Sequence, residues 1–340
     1  MKECILYEKE KNGKVRCLAC AHKCLIGDGK TGICGVRENS NGKLFLLVYG
    51  KIAAIHVNPI KKKPLYHFLP GTKAYSIGTV GCNFKCDFCQ NWDISQISKG
   101  KRAHVFGKNP SSESSDSEKS RFDAKAFIFG DEYTPEEIVE SAIKTGCKSI
   151  AYTYNEPIIF IEFVKDCAEL AHKKGLKNIM VTNGYWSRES FDFIVNANSI
   201  SKCPKVLSNT SCSVKQGLSD IKNSLIDAVN IDLKGSDKYY NKLCGGKLKP
   251  VLDTIKRCYE HGIHVEITTL IVPGENDYTA DLKKIAKFIA SVDKNIPWHI
   301  SRFFPMYKMK NKEITSRKIL EKAYEIGKKA GLKNVYLGNL

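Results

Sequence analysis

The 340-residue chain has no run of apolar residues long enough to cross a membrane, and its longest runs are as short as Leu44 to Val48. A membrane-spanning helix needs about 20 apolar residues, so the sequence excludes a helical membrane protein. The first residues, Met1 to Lys14, are charged and polar and lack the apolar segment of a secretory signal. We therefore expect a cytoplasmic location and no membrane partner.

Acidic residues are few in comparison with basic ones, since 36 Asp and Glu stand against 54 Lys and Arg and give a net charge of +18. Such an excess favours acidic partners or nucleic acid, although a lysine-rich surface that meets only solvent has the same composition. Basic runs such as Lys61 to Lys63 support an RNA partner. No RNA-recognition motif with aromatic platforms accompanies them, so RNA is the second choice.

Cysteine is abundant, with 14 residues in a chain that has no export signal. Disulfides are improbable in a reducing cytosol, so clustered cysteines indicate metal or iron–sulfur ligation. Seven cysteines are scattered and are expected to be small core or surface residues: Cys4, Cys147, Cys167, Cys203, Cys212, Cys244 and Cys258.

Four cysteines near the start of the chain, Cys17, Cys20, Cys24 and Cys34, have the spacing of a metal site. Four thiolates suit structural zinc or an iron–sulfur cluster. Ordinary thiols or a redox disulfide are the alternative, and the sequence does not decide among the three.

From residue 134 onward, strand-like and helix-like segments alternate along the chain. Thr134 to Glu137 forms a capping box with Pro135 at the first helical position, which predicts a helix start. Strands that alternate with helices of 10–15 residues indicate βαβ units and a parallel sheet. The predicted fold is α/β, a partial or complete (β/α) barrel of parallel strands, with an open doubly wound sheet as the alternative.

We predict two domains. Residues 1–70 form a small Cys-rich N-terminal element with a hairpin made from the apolar runs 44–48 and 52–57. Residues 71–340 form the barrel domain. Within it, the serine-rich segment 107–125 is predicted to be a disordered loop, and the polar segment 196–223 is predicted to be an insertion.

The second cysteine group, Cys82, Cys86 and Cys89, has the spacing C-x3-C-x2-C directly after a predicted strand. Four-iron clusters usually have four cysteine ligands, so a cluster with three leaves one iron open to another ligand. A strand that runs into this loop places the cluster at the C-terminal end of the strand, where barrel active sites lie. A zinc site with a distant fourth ligand is the alternative, although zinc sites more often use paired C-x2-C or C-x4-C motifs.

This motif, with the aromatic Phe88 before its third cysteine, resembles the signature of the radical SAM enzymes. The chain resembles in particular the pyruvate formate-lyase activating enzyme-like proteins and, among them, the AmmeMemoRadiSam system radical SAM enzymes. The resemblance extends over nearly the whole chain outside the two irregular segments. It rests on these segments: Cys17–Cys24, Gly32–Arg37, Lys62–Leu65, Gly81–Asn91, Tyr152–Pro157, Thr182–Gly184, Asn230–Gly235 and Thr268–Gly274.

The resemblance implies a mechanism, cofactors and partners. Cys82, Cys86 and Cys89 would bind a 4Fe–4S cluster, and S-adenosylmethionine would bind the fourth iron. Reductive cleavage would give a 5′-deoxyadenosyl radical that abstracts hydrogen from an unidentified substrate, for example a glycyl residue of a partner protein. An electron donor such as ferredoxin or flavodoxin is implied. The cofactors carry the chemistry, and the protein positions them and excludes water.

Four polar residues at predicted strand ends are the candidates for positioning S-adenosylmethionine. Asn155 and Glu156 occupy the place where relatives often carry Gly-Gly-Glu, and their alternative role is to turn a strand into its helix. Asp232 and Lys234 match an Asp-x-Lys pattern of the activating enzymes and lie on one face of their strand, with a buried structural ion pair as the alternative. Weaker candidates are Asn183, Gly184, His299 and Arg302. No catalytic acid, base or nucleophile is assigned.

Two other classes of function remain open at this stage. One is a radical SAM enzyme that modifies RNA. The other is a protein without enzymatic activity, either an iron–sulfur electron carrier or a zinc-organised binding protein. Some relatives continue into a C-terminal C-x2-C segment, and this sequence stops at Leu340 without it. Either the segment is dispensable here or the sequence is truncated.

Overall fold

The computed structural model describes residues 1–96, 128–196 and 224–340. The predicted disordered loop at 107–125 lies outside the described residues, and so does the predicted insertion at 196–223 apart from Asn196. None of the described helices combines the length and the apolar character that crossing a membrane requires.

Short antiparallel strands form the N-terminal part of the chain. They are β1 (Lys2–Glu3), β2 (Tyr7–Lys9), β3 (Val15–Cys17), β4 (Leu25–Ile26), β5 (Arg37–Ser40), β6 (Lys43–Leu46) and β7 (Lys51–Ile52). Strands β2, β3 and β4 make one small sheet, and β1, β6 and β5 make another. This part carries Cys17 at the end of β3 and Cys20, Cys24 and Cys34 in the connections around β3 and β4.

The remaining strands build mainly one large sheet. They are β8 (Ala54–Pro59), β9 (Lys73–Gly78), β10 (Asp131–Glu132), β11 (Ser149–Tyr152), β12 (Lys177–Thr182), β13 (Ala228–Asp232), β14 (His264–Ile271), β15 (Trp298–Arg302) and β16 (Val335–Gly338). Strand β10 pairs only with β7, and the other eight follow the order β16-β15-β14-β13-β12-β11-β9-β8. All neighbours in this sheet are parallel except β8 and β9.

Helices connect the parallel strands and pack on the outer face of the large sheet. They are α1 (Trp92–Ser95), α2 (Pro135–Lys144), α3 (Ile161–Lys173), α4 (Arg188–Val195), α5 (Asp237–Tyr239), α6 (Leu248–Glu260), α7 (Thr279–Val292) and α8 (Arg317–Lys329). The Thr134 capping box is present at the start of α2, where its hydroxyl accepts from the Glu137 amide. In the described residues β8 and β16 remain the two edges of the sheet, so the predicted α/β barrel is confirmed in its partial form.

The predicted hairpin between the runs 44–48 and 52–57 is wrong, because the two runs pair with other strands. Strand β6 pairs with β5 across a tight turn at Asn41 and Gly42, which both have positive φ angles of 53° and 74°. Strand β8 pairs with β9 and thereby becomes an edge of the large sheet. Hydrophobic runs reveal strands, but a strand's partner depends on the turn chemistry and on distant segments.

The inner face of the sheet is closed at the N-terminal ends of its strands by the loop between β8 and β9. Small side chains of four strands and two loop residues form one buried apolar cluster there: Ala74, Ala151, Ile179, Ala228, Ile60 and Leu65. Above this cluster the inner face is polar and includes Asn230, Asp232 and Thr268. The polar part of the inner face therefore lies toward the C-terminal ends of the strands.

Candidate active site

The three closely spaced cysteines lie in a loop that follows β9, at the C-terminal end of a parallel strand. Backbone hydrogen bonds fix this loop on a π-helical segment, Tyr240–Cys244. The Lys85 amide donates to the Cys244 carbonyl at 2.8 Å, and the Asp87 amide donates to the Leu243 carbonyl at 3.0 Å. A π-helical turn often marks a functional site, and here it supports the cysteine loop.

Gly81 brings the cysteine loop into direct contact with the N-terminal element. Its φ angle is +87°, a conformation that favours glycine. A Cβ at this position would lie 2.6 Å from the Cys34 carbonyl oxygen and 2.7 Å from the Val36 side chain. Only glycine permits this approach, so the first and second cysteine groups are neighbours in space.

The thiols of Cys82, Cys86 and Cys89 lie close enough to influence one another electrostatically. Burial raises the pKa of Cys82 well above its ordinary value, and the charges of Cys86, Glu156 and Cys89 add to the rise. Burial, followed by the charge of Cys86, raises the pKa of Cys89 to about 11. Without a bound cation the raised pKa values keep these thiols protonated, and three sulfur donors on one loop are a set that fits an iron–sulfur cluster.

Within residues 1–96, 128–196 and 224–340, no three His, Cys, Asp or Glu side chains converge as the ligands of one ion would.

Cys244, which was expected to be a small core or surface residue, contacts this site. Its side chain is fully buried, and a hydrogen bond between it and Cys86 is the first cause of the raised Cys86 pKa, ahead of burial. The thiol reaches Cys86 from the π-helical segment, more than 150 positions along the chain. No local sequence signal marks this contact.

Asn155 lies beside the cysteine loop and uses its side chain to hold that loop. Its amide nitrogen donates to the Thr79 hydroxyl and to the Gly81 carbonyl, both at 2.9 Å, and its oxygen accepts from the Thr79 amide at 3.3 Å. Asn155 is 7% exposed. The end of β11 is thereby tied to the start of the cysteine loop.

Glu156 is buried and joins the ends of two neighbouring strands. Its carboxylate accepts hydrogen bonds from the Thr182 hydroxyl at 2.7 Å, the Asn183 amide at 2.7 Å and the Ile158 amide at 3.1 Å. Burial raises the pKa of Glu156 to about 7, and these hydrogen bonds oppose the rise. The side chain thus fixes the turn after β11 against the end of β12.

Asp232 and Lys234 both lie on the inner face of the sheet, as the alternation of the strand predicts. Their side chains form an ion pair with an Nζ–Oδ2 distance of 2.7 Å. Burial opposes the charge of Lys234, but Asp232 and then Cys86 raise its pKa well above the ordinary value. The Lys234 Nζ also lies 5.8 Å from the ring centroid of Phe88, so this cation borders the cysteine loop.

The weaker candidates divide between the site and other parts of the fold. Asn183 belongs to the site, because its side-chain Nδ2 donates to Oδ1 of Asn83 at 2.7 Å. His299 contacts Glu266 at 2.6 Å in the N-terminal half of its strand. Arg302 donates to the Thr315 carbonyl at 2.8 Å. The last two residues therefore stabilise the fold away from the cysteine loop.

Residues 76–289 match the family model of the radical SAM superfamily. The uncharacterized protein MJ0808 of Methanocaldococcus jannaschii is 38% identical, and the alignment covers 100% of this chain and 86% of that protein. The uncharacterized protein MJ0674 of the same organism is 30% identical over 106 residues, which cover 30% of this chain and 26% of that protein.

Solved structures with a similar arrangement include a domain of pyruvate-formate lyase-activating enzyme from Bacteroides vulgatus. It has a TM-score of 0.42 and 18% identity, and covers 56% of this chain and 99% of that one. Streptococcus suis SuiB bound to precursor peptide SuiA has a TM-score of 0.49 and 11% identity, and covers 83% of this chain and 51% of that one. At these scores neither likeness carries an argument about substrate.

Proposed function

The chain belongs to the radical SAM superfamily, and on this premise we propose that Cys82, Cys86 and Cys89 bind the 4Fe–4S cluster of an enzyme that abstracts hydrogen from a partner protein. The cofactors of the superfamily are a 4Fe–4S cluster and S-adenosylmethionine. When bound, they supply a one-electron reduction and a radical able to break a C–H bond. The observation that carries the ligand assignment is the group of three neighbouring cysteines on the loop at the C-terminal end of β9, with Cys86 buried and Cys82 and Cys89 partly buried.

Two kinds of residue would surround the cofactors. Asp232 and Lys234 present a carboxylate and an ammonium on the inner face of the sheet, and we assign them to the amino-acid part of S-adenosylmethionine. The Asp232 side chain is 33% exposed, so its carboxylate remains accessible to a cationic group. Asn155 and Glu156 would act as positioning residues, because their polar atoms bond to the cysteine loop and to the end of β12.

A protein substrate is supported by the motifs that resemble the activating enzymes. Within the described residues β8 and β16 do not pair, so the strands form an open sheet, although the loop between β8 and β9 contacts β16 through a His67–Tyr336 hydrogen bond of 2.7 Å. The polar inner face at the C-terminal ends of the strands is where we expect a partner segment to bind. We propose a glycyl Cα–H bond as the target, in line with the motifs that resemble the activating enzymes, and a ferredoxin or flavodoxin as the electron donor.

The test of the ligand assignment is cofactor cleavage by anaerobically reconstituted protein with a chemical reductant. Cys82→Ala, Cys86→Ala and Cys89→Ala should each abolish the formation of 5′-deoxyadenosine, because each removes one of three anchors. Cys258→Ala is the control, since this thiol is buried on α6 and outside the cysteine loop, and it should retain activity. Full activity in any of the three loop variants would contradict the assignment.

The substrate class requires a separate experiment. With deuterium-labelled candidate partners, abstraction from a glycyl residue should transfer deuterium into 5′-deoxyadenosine and leave a protein radical detectable by electron paramagnetic resonance. Deuterium transfer from labelled RNA, with none from labelled protein, would show that the substrate is RNA and would contradict the proposal of a protein substrate. Cofactor cleavage and substrate identity can therefore fail independently.

A further inference from the structure

The four N-terminal cysteines surround one cavity that borders the cysteine loop. Cys17 ends β3, Cys24 precedes β4, and Cys20 and Cys34 lie in the connections. All four line the cavity, together with Arg37 and Asn83. None of them forms a disulfide, and Cys17, Cys20 and Cys34 are only 6–8% exposed.

Two buried hydrogen-bond donors at the wall of this cavity have no acceptor. Arg37 is 1% exposed; its Nε donates to the Ile159 carbonyl at 2.8 Å and its Nη2 to Glu162 at 2.5 Å. Its Nη1 has no partner among the described residues, and the same holds for Nδ2 of Asn83, which is also 1% exposed. Unpaired buried donors are rare and costly, so two at one cavity indicate an acceptor that belongs there.

We propose that Cys17, Cys20, Cys24 and Cys34 bind a second iron–sulfur cluster, and that Arg37 and Asn83 donate hydrogen bonds to its sulfur atoms. Four cysteine thiolates are the usual ligand set of such clusters, and hydrogen bonds to the sulfur atoms set their reduction potential. The two donors without acceptors are the feature that distinguishes this cavity from a group of ordinary buried thiols.

Zinc is the competing occupant, because four thiolates also form structural zinc sites. The two donors without acceptors favour the cluster, because its inorganic sulfides are acceptors in addition to the thiolates. The cavity also shares Asn83 with the loop of Cys82, which places the second centre directly behind the first.

The test uses the full chain with the first cluster removed. Cys82→Ala/Cys86→Ala/Cys89→Ala protein, purified and reconstituted without oxygen, should retain about two to four irons and a similar amount of sulfide. Its reduced form should give a cluster signal in electron paramagnetic resonance. Protein without iron, protein with zinc in place of iron, or protein with a Cys–Cys disulfide at this site would each overturn the proposal.

The roles of the donors have their own readout. Arg37→Lys keeps the charge but removes the Nη1 donor, so the midpoint potential of the second cluster should fall measurably while its iron content stays the same. Cys258→Ala in the same triple-variant background is the control and should change neither quantity. An unchanged midpoint potential in soluble, iron-loaded Arg37→Lys protein would show that Arg37 does not donate a hydrogen bond to a cluster sulfur.

Discussion

Replacing Glu266 by Gln should destabilise the closed end of the barrel. It should also remove a defined part of the pH dependence of the free energy of unfolding. Glu266 is completely buried and accepts hydrogen bonds from the Tyr66 amide at 3.0 Å and the His67 amide at 2.8 Å. It also accepts from Nε2 of His264 at 3.0 Å and of His299 at 2.6 Å. Burial by itself would raise its pKa, but the hydrogen bonds lower it from 4.5 to about 2.

The magnitude follows from the difference in pKa between the folded and unfolded states. A fall from 4.5 to about 2 corresponds to about 3 kcal/mol of unfolding free energy. Because the folded pKa is the lower one, this contribution is complete above pH 4.5 and is lost as the pH falls toward 2. Glu266→Gln keeps the shape but not the charge, so the variant should be about 3 kcal/mol less stable at pH 7. The gap to the wild type should close below pH 4.5.

The assay is urea-induced unfolding of metal-free protein between pH 7 and pH 3, followed by tryptophan fluorescence, to which the buried Trp186 and Trp298 contribute. Glu132→Gln serves as the control, because its side chain is 82% exposed and its ion pair with Lys51 should contribute little. A gap between wild type and Glu266→Gln that stays constant over this pH range would refute the reasoning. So would a variant that is as stable as the wild type at pH 7.

Three further substitutions test the surroundings of the cysteine loop. Gly81→Ala should lower the iron content of reconstituted protein several-fold, because its Cβ would meet a backbone carbonyl at 2.6 Å; normal iron loading would contradict this. Lys234→Met should raise the KM for S-adenosylmethionine about tenfold or more. Lys234→Arg retains the ion pair with Asp232, so its KM should lie between those of the wild type and Lys234→Met. An unchanged KM in Lys234→Met would limit the pair to a structural role. Cys244→Ala should preserve iron content but shift the midpoint potential of the first cluster, because Cys86 loses its thiol partner; an unshifted potential would show that this contact has no electronic effect.

The parallel sheet could be predicted because its signals are local. The capping box at Thr134 is present in the structure at the position where the sequence indicates it. The hairpin prediction failed because it relied on the apolar runs and overlooked a stronger turn signal nearby. Asn41-Gly42 is the usual sequence of a two-residue turn, and it joins β5 to β6, whereas Tyr49 to Lys51 lies between strands of different sheets.

The candidate site could be predicted only in part, because a polar residue at a strand end has several uses. Asp232 and Lys234 face the interior because alternation along a strand is strict. Asn155 and Glu156 were selected by the same reasoning, but their hydrogen bonds go to Thr79, Gly81, Thr182 and Asn183. Which polar atoms remain for a ligand depends on contacts between distant segments.

The contacts of Asn83 make the N-terminal element part of the candidate site. Its backbone carbonyl accepts from His22 at 2.9 Å, so His22 carries a proton on Nε2, and its side-chain oxygen accepts from Asn183 at 2.7 Å. Asn83 thus joins the N-terminal element, the cysteine loop and the end of β12, and it also lines the cavity of Cys17, Cys20, Cys24 and Cys34. Gly81 adds a second close contact between the two cysteine groups, because a Cβ there would lie 2.6 Å from the Cys34 carbonyl oxygen.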